Sequence, residues 1–254
     1  MKTLAFFSPK GGVGKTTHTE MFASYLRYGC GKRVCVIDSD ICDYTVKKYR
    51  ERELEFLEDP QSALSRFMER NPQPSAYDIV EFPVDVDVFD AKRESEYVEK
   101  IYDFLVAHER DYDYALFNFP GLYKQLSPSY GCIMGGCVDL TAVPIEKDTA
   151  SRMQAYVVTM NAVHFGRRAF VFWNRLSRKD LNRTWYLNSS EKTFKDDGLE
   201  VHPFRVRAFA KASSDSNTKL FVKSTLCWPD RYVDMACPGL KGFYEDLKER
   251  LDSI

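Results

Sequence analysis

A glycine-rich segment, Pro9-Lys-Gly-Gly-Val-Gly-Lys-Thr-Thr17, constrains this chain more than any other part of the sequence. It follows a short apolar strand predicted over residues 3–8, and it precedes a helix predicted from Thr17 to about Cys30. The backbone N–H groups of such a loop converge on one point, and the dipole of the following helix adds positive potential there. The segment therefore predicts a phosphate-binding loop at the carboxyl end of the first strand.

The side chains of this loop suit a triphosphate that carries a magnesium ion. Lys15 can reach the β- and γ-phosphates, the Thr16 hydroxyl can coordinate Mg²⁺, and Thr17 can donate to the α-phosphate. Glycines, which have no Cβ, let the phosphates approach the backbone closely. The residues predicted to hold the nucleotide in this loop are Gly11, Gly12, Val13, Gly14, Lys15, Thr16 and Thr17.

Strands and helices alternate along the rest of the chain, and this alternation predicts the fold class. Further strands are predicted over 33–38, 114–119, 138–144 and 169–173, an edge strand or strand pair over 79–89, helical stretches over 44–70, 93–108, 148–164 and 239–251, and a polar loop over 211–218. Most of the strands are continuous apolar runs, which is typical of a parallel sheet covered on both faces. We therefore expect an α/β fold, with a doubly wound, mostly parallel sheet flanked by helices, in a single domain over residues 1–254.

The phosphate loop departs from the ordinary pattern at one position, and the departure indicates a family. The ordinary pattern has a glycine at position 9, where this chain has Pro9, and an extra lysine, Lys10, precedes the glycines. With these residues the segment resembles the deviant Walker A motif of the ParA/MinD family of P-loop ATPases. The resemblance implies ATP and Mg²⁺ as cofactors. It also implies a nucleotide-sandwich homodimer, in which Lys10 reaches the phosphates bound to the second copy.

Two further segments resemble the other nucleotide motifs of that family. Val36-Ile-Asp-Ser-Asp40 resembles the second motif, which implies that Asp38 holds the Mg²⁺ shell and that Asp40 orients the attacking water. The segment from Arg110 to Gly121, a strand that ends in Asn-Phe-Pro-Gly, resembles the third motif, but Asn118 stands where the family has a metal-linked aspartate. Because an asparagine offers Mg²⁺-bound water a carbonyl oxygen without a negative charge, we expect weaker metal and nucleotide binding.

The later segments resemble the family more loosely. Val143-Pro-Ile-Glu-Lys-Asp148 is similar to a proline segment that ends a strand before a helix. Asn174 stands where many relatives use an asparagine to read the adenine edge, and the alternative is an asparagine that only ends the strand in a turn. Residues 201–207 resemble the segment that packs beside the base.

Charge is distributed unevenly along a chain whose formal net charge is −1. Residues 160–225 hold 13 Lys and Arg against 6 Asp and Glu, whereas residues 1–159 and 226–254 are net acidic. Such a stretch predicts either a surface that faces a polyanion or charges that are dispersed on folding. In charge it resembles the surfaces by which ParA-like proteins hold DNA nonspecifically, and Arg205 and Arg207 are among the cations expected there. Since no helix-turn-helix segment precedes the loop, we expect no operator-specific binding.

Cysteine, histidine and membrane signals are weak. Seven scattered cysteines favour reduced thiols, and the Cys132–Cys137 spacing lacks the second thiolate segment that an iron–sulfur cluster shared by two subunits needs. His18 is expected at the surface or as a capping residue. The terminal helix lies in a net acidic stretch and should pack on the sheet rather than on an anionic membrane. We therefore expect a cytoplasmic protein without membrane contact.

These observations predict a Mg-ATP-dependent dimerisation switch with slow ATPase activity, stimulated by a partner protein. Its expected work is partition of DNA, such as a plasmid, chromosome or mobile element, or positioning of another cargo. Lys10, Lys15 and Asp40 are the predicted catalytic residues. One alternative is a nucleotide-binding adaptor with little hydrolysis, which Asn118 suggests. The other is a small-molecule ATP-dependent synthetase on the same scaffold.

Overall fold

Seven strands form one sheet in the computed structural model, which describes residues 1–40, 45–83, 91–121, 127–182, 184–208 and 223–254. The strands are β1 (Lys2–Phe6), β2 (Val34–Asp38), β3 (Asp78–Glu81), β4 (Tyr114–Asn118), β5 (Leu140–Ile145), β6 (Arg168–Leu176) and β7 (Glu200–Arg207). They lie in the order β3-β2-β4-β1-β5-β6-β7, and every neighbouring pair is parallel. The predicted α/β fold class is thereby confirmed. The predicted edge strand is confirmed as β3, and residues 84–90 of that stretch lie outside the described residues.

Helices connect the strands and cover both faces of the sheet. They are α1 (Lys15–Ser24), continued by a π-helical turn (Tyr25–Gly29), α2 (Val46–Glu58), α3 (Ala63–Arg70), α4 (Ala91–Ala107), α5 (Pro128–Gly135), α6 (Thr149–His164), α7 (Arg178–Asn182), α8 (Thr184–Asp196), α9 (Asp230–Ala236) and α10 (Leu240–Asp252). Four of them begin at an N-cap side chain that accepts a hydrogen bond from the backbone N–H three residues on; these caps are Thr45, Ser62, Ser127 and Asp148.

The helical stretch predicted over 44–70 is two helices instead of one. Asp59 leaves the helical conformation with φ −91° and ψ 107°, as the residue before a proline tends to do. The Ser62 hydroxyl then accepts from Ser65 N at 3.0 Å and begins α3. The polar loop predicted over 211–218 lies outside the described residues.

The alternating side chains of the strands build two cores. Leu4 and Phe6 of β1 face α1 and α10, whereas Ala5 and the adjoining Phe7 face α4, α5, α6 and α8. On α10 the buried side chains include Phe243 and Leu247. The terminal helix therefore packs on the sheet, as its apolar stripe predicts.

The expectation for His18 is wrong, because its side chain lies inside the first of these cores. The imidazole is 1% exposed, stacks on Phe6 with 5.3 Å between ring centroids, and has Nδ1 3.0 Å from the Tyr244 hydroxyl. Burial lowers the pKa of His18 to about 4, against a hydrogen bond with Asn174 that raises it. The imidazole is therefore a neutral core residue that joins α1 to α10.

Two further expectations concern thiols and membranes. All six of the cysteines that the structure describes are free, in agreement with the expected reduced state, and Cys42 lies outside that part of the chain. No helix in the described ranges is both long and apolar enough to cross a membrane.

Candidate nucleotide-binding site

The phosphate loop lies at the carboxyl edge of the sheet, between the end of β1 and the start of α1. Gly14, the residue before α1, has φ +95°, a conformation that side chains other than glycine rarely adopt. A Cβ at this position would also lie 2.6 Å from Asn174 Nδ2. Both the backbone angle and the close approach of β6 therefore require glycine at position 14.

Lys15 is the first residue of α1, and its ammonium is turned into the loop. The residue is 6% exposed, and Nζ donates to the Lys10 carbonyl at 2.9 Å. Burial lowers the pKa of Lys15 to about 8, although the negative charge of Asp40 opposes the shift. No carboxylate in the described part of the chain is bonded to this ammonium, and a desolvated cation in that state is well suited to receive phosphate oxygens.

Gly121, the glycine of the third motif, lies beside the phosphate loop. The sequence alone did not predict this contact. A Cβ on Gly121 would lie 2.9 Å from Lys15 Nζ and 3.2 Å from the Pro9 carbonyl. The chain beyond β4 thus passes directly over the ammonium of Lys15. The Pro-Gly pair at 120–121 was the sequence signal for this close approach.

Asp38 and Asn118 meet at the ends of the adjacent strands β2 and β4. Asn118 Nδ2 donates to Asp38 Oδ1 at 2.8 Å, and Lys47 N donates to Asp38 Oδ2 at 3.0 Å. Both side chains are buried, and burial raises the pKa of Asp38 against the hydrogen bonds from Asn118 and from the Lys47 and Asp40 backbone, which lower it. The structure therefore brings together two of the residues predicted at the metal.

The oxygen of the Asn118 amide is suited to a further partner. Asn118 Oδ1 is buried and accepts no hydrogen bond from the described atoms, and such an orphaned acceptor is costly unless something binds it. Carboxylate, amide and hydroxyl oxygens are ligands that suit Mg²⁺. Asp38, Asn118 and the half-buried Thr16 therefore fit the ion that accompanies a nucleotide. No group of three His, Cys, Asp or Glu side chains within the described ranges could hold a metal by itself.

Asp40 lies close enough to this pair to act on it electrostatically. Its charge raises the pKa of both Asp38 and Lys15. The carboxylate of Asp40 therefore lies within electrostatic range of Lys15 and Asp38, and its role in orienting water stays a prediction.

Lys10 is held by acidic residues of its own chain. Its Nζ donates to Glu146 Oε2 at 3.0 Å and to Asp148 Oδ2 at 2.5 Å. Burial lowers the pKa of Lys10, but the hydrogen bonds to Asp148 and Glu146 outweigh it and the net shift is upward. Both carboxylates come from the segment between β5 and α6, which the sequence had singled out only for its strand-end proline.

Asn174 and Arg175, at the end of β6, lie against the loop. Asn174 is 3% exposed; its Nδ2 donates to the Val13 carbonyl at 2.7 Å, and its Oδ1 accepts from Arg175 N at 2.9 Å. Arg175 has φ +58° and donates from Nη1 to the Gly12 carbonyl at 2.5 Å. In this structure Asn174 therefore supports the loop, and its contact with adenine stays a prediction.

In the basic tract, residues 160–225, ion pairs within the fold neutralise part of the positive charge. Arg205 Nη2 lies 2.7 Å from Glu191 Oε1, and Lys192 Nζ lies 2.8 Å from Asp196 Oδ2. Exposed cations of the tract include Arg178 and Lys179. Three further members, Arg183, Lys211 and Lys219, lie outside the described residues.

A parallel sheet with a glycine loop between β1 and α1, and acidic and amide groups at the neighbouring strand ends, defines a P-loop nucleotide-binding protein. The family described as CobQ/CobB/MinD/ParA nucleotide binding domain matches residues 4–218. The chain belongs to this family of P-loop ATPases, whose nucleotide is ATP. No curated protein sequence matches the chain.

Solved structures agree with the fold. The chain is similar to the MinD cell division protein of Aquifex aeolicus, with 19% identity, 98% of this chain and 97% of that chain covered, and a TM-score of 0.57. It is also similar to a ParA family ATPase from Chlorobium tepidum TLS, with 16% identity, coverage of 92% and 97%, and a TM-score of 0.54. A third is pNOB8 ParA bound to nonspecific DNA, with 19% identity, coverage of 85% and 83%, and a TM-score of 0.52.

Proposed function

We propose that this protein is a Mg-ATP-dependent dimerisation switch with slow ATPase activity, which works in the partition of DNA or the positioning of another cargo. The observation that carries the proposal is the loop itself, with the desolvated Lys15 inside it and Lys10 beside it, at the mouth where β1, β4 and β5 end. Family membership supports ATP as the ligand. The chain is proposed to form a single cytoplasmic domain over residues 1–254.

In this proposal the loop from Gly11 to Thr17 binds the phosphates, and Lys15 neutralises their charge. Magnesium, held through Thr16, Asp38 and Asn118, supplies positive charge at the β- and γ-phosphates when it is bound. Asp40 orients the attacking water. Lys10 leaves Glu146 and Asp148 and reaches the phosphates of a second copy, so that ATP joins two copies until hydrolysis removes the γ-phosphate contacts.

Calorimetry and light scattering test the two halves of this proposal separately. Titration of Mg-ATP should release or absorb heat with the natural protein and with the surface control Lys100→Met, and no heat should be measurable with Lys15→Met. Light scattering should give twice the monomer mass with ATP and the monomer mass with ADP, and Lys10→Ala should bind ATP without doubling. If the natural protein produces no binding heat, nucleotide binding is refuted; if it binds but never doubles, only the switch is refuted.

A DNA partner is proposed on charge. Arg178 and Lys179 stand exposed near the nucleotide edge, and one structural neighbour is a ParA bound to nonspecific DNA. Phosphate neutralisation makes such binding steeply dependent on salt. The ATP-loaded protein should shift arbitrary duplex at low salt, and Arg178→Glu with Lys179→Glu should weaken the shift. Arg205, which the sequence suggested, is a poor choice because reversal of its charge would break the pair with Glu191.

A nucleotide-binding adaptor with little hydrolysis is a second candidate. The Asn118–Asp38 hydrogen bond favours it, because the pair holds one carboxylate where the family motif has two. ATP turnover with DNA and an activating partner protein should exceed turnover with either alone if the switch is correct. Turnover that stays undetectable while ATP binds supports the adaptor.

A further inference from the structure

A cavity lies away from the phosphate loop, on the sheet face that α1 and α10 cover. None of its lining residues belongs to the phosphate loop. Its volume is about 620 Å³, and α3, the turn that follows it and the segment from Trp228 to Tyr232 form its walls. Cavities of this size hold small organic ligands. We call this cavity the arginine cleft.

Three arginines give the cleft a positive charge. Arg66 and Arg70 lie one turn apart on α3, and Arg231 lies in the first turn of α9; all three are exposed. No carboxylate among the described residues lies within ion-pair distance of any of them. Asp230, the acidic residue of the lining, is engaged by Lys241 Nζ at 2.9 Å. The charge of the cleft therefore suits an anion with several charged oxygens.

Aromatic rings form much of the remaining wall. Trp228 Nε1 donates to Asp230 Oδ1 at 3.3 Å, and the Tyr28 hydroxyl donates to the Thr225 carbonyl at 2.9 Å. Trp228 is only 8% exposed, because its ring packs in the core against Tyr25 and Tyr244, so a small part of the indole lines the cleft. Tyr232, 43% exposed, adds a third ring. Rings that line a cationic groove suit the faces of nucleobases.

Two amide side chains complete the lining. Asn71 Nδ2 donates to the Phe67 carbonyl at 3.0 Å, and Gln73 Nε2 donates to the Asn71 carbonyl at 2.8 Å. These bonds fix the amides and leave their oxygens as hydrogen-bond acceptors. An amide oxygen at the edge of an aromatic cleft suits the exocyclic amino group of a base.

We propose that the arginine cleft binds a nucleoside phosphate that carries an exocyclic amino group. The base packs against the Tyr232 ring and contacts the small exposed part of Trp228. Its amino group donates to Asn71 or Gln73, and the phosphates bind the arginines. The ligand is a free nucleotide or a nucleotide of a single nucleic-acid strand, which share this chemistry. The site is separate from the phosphate loop and does not depend on the function proposed above.

Tryptophan fluorescence tests the site locally. The protein has three tryptophans; Trp173 is fully buried, and Trp185→Phe removes the exposed one. With Lys15→Met added to silence the phosphate loop, ADP or a 5′-phosphorylated deoxyadenylate hexamer should quench Trp228. Arg66→Gln and Arg70→Gln should each raise the dissociation constant about tenfold, because each removes a charge-assisted hydrogen bond. The matched changes Arg110→Gln and Arg168→Gln, at exposed arginines outside the cleft, should leave it unchanged.

Each outcome of these fluorescence titrations either supports or overturns the proposed site. Saturable quenching by ADP alone identifies a free nucleotide, quenching by the hexamer alone identifies a strand, and either result supports the site. Equal affinity for inorganic pyrophosphate would show a simple anion patch and overturn the proposal. The proposal is also overturned if neither probe quenches Trp228, or if the cleft variants bind as tightly as the matched controls.

Discussion

The ammonium of Lys10 lies 3.0 Å from the carboxylate of Glu146 in its own chain. Arg175 Nη1 reaches the other oxygen of the same carboxylate at 3.0 Å, so Glu146 bridges two cations at the mouth of the phosphate loop. A lysine that serves a second copy of the chain has to give up this contact first. If the chain dimerises as proposed, the segment after β5 sets an energy that dimerisation must overcome.

Removal of these carboxylates should favour the dimer. Glu146→Gln combined with Asp148→Asn frees Lys10, while asparagine preserves the N-cap of α6. Because partly exposed ion pairs contribute at most about 1 kcal/mol, the dissociation constant of the ATP-bound dimer should fall about threefold. Analytical ultracentrifugation measures this constant. Glu200→Gln is the control, because it removes a carboxylate from the ion pair between Glu200 of β7 and Arg250 of α10. A weaker dimer would show that the two carboxylates serve the bound state instead.

Lys15→Met should stabilise the nucleotide-free protein. The pKa of Lys15 falls from 10.5 to about 8 on folding, so below pH 8 the folded state carries a disfavoured charge that costs on the order of 3 kcal/mol. The advantage of the methionine variant should shrink as pH rises from about 8 to 10.5, where the folded lysine loses its proton. Urea unfolding at several pH values measures this difference. The exposed Lys100→Met should show no such trend, and a methionine variant less stable than the natural protein at pH 7 contradicts the account.

Asn118→Asp should destabilise the nucleotide-free protein by about 2 kcal/mol at pH 7, because it places a second carboxylate against Asp38 in a buried site. Each carboxylate disfavours ionisation of the other and raises its pKa in the folded state. The penalty should therefore be small near pH 4 and grow as pH rises. Mg-ATP should recover part of the loss. Thermal unfolding with and without Mg-ATP measures both effects, and the exposed Asn182→Asp is the control. If Asn118→Asp melts at the same temperature as the natural protein, this prediction is wrong.

Acid should destabilise the natural protein through His18. The pKa of this imidazole falls from 6.5 to about 4 on folding, so the unfolded chain binds a proton first as pH drops. The resulting loss grows from pH 6.5 downward and reaches roughly 3 kcal/mol below pH 4. His18→Met should abolish this part of the pH dependence, and the exposed His164→Met should preserve it. Identical pH profiles for His18→Met and the natural protein would mean that His18 does not control acid stability.

Local patterns were sufficient for the fold class and for the composition of the loop. Apolar runs of strand length, with a glycine loop between the first strand and the first helix, predict a parallel sheet covered on both faces. The structure contains such a sheet. Tertiary contacts decided the environment of His18, since a histidine in the polar first turn of a helix gives no sign that Phe6 and Tyr244 will enclose it. They also decided that Arg205 pairs with Glu191 instead of facing solvent.

The sequence by itself determined that a phosphate loop stands between a strand and a helix, because glycine and lysine at fixed spacing act through nearby backbone geometry. Only the tertiary structure decided which groups surround that loop. Asn118 meets Asp38 across 80 residues, and Lys10 meets Asp148 across 138, because parallel strands bring distant strand ends to one edge of the sheet. The order of those strands is set by packing of the whole chain, which no local pattern encodes.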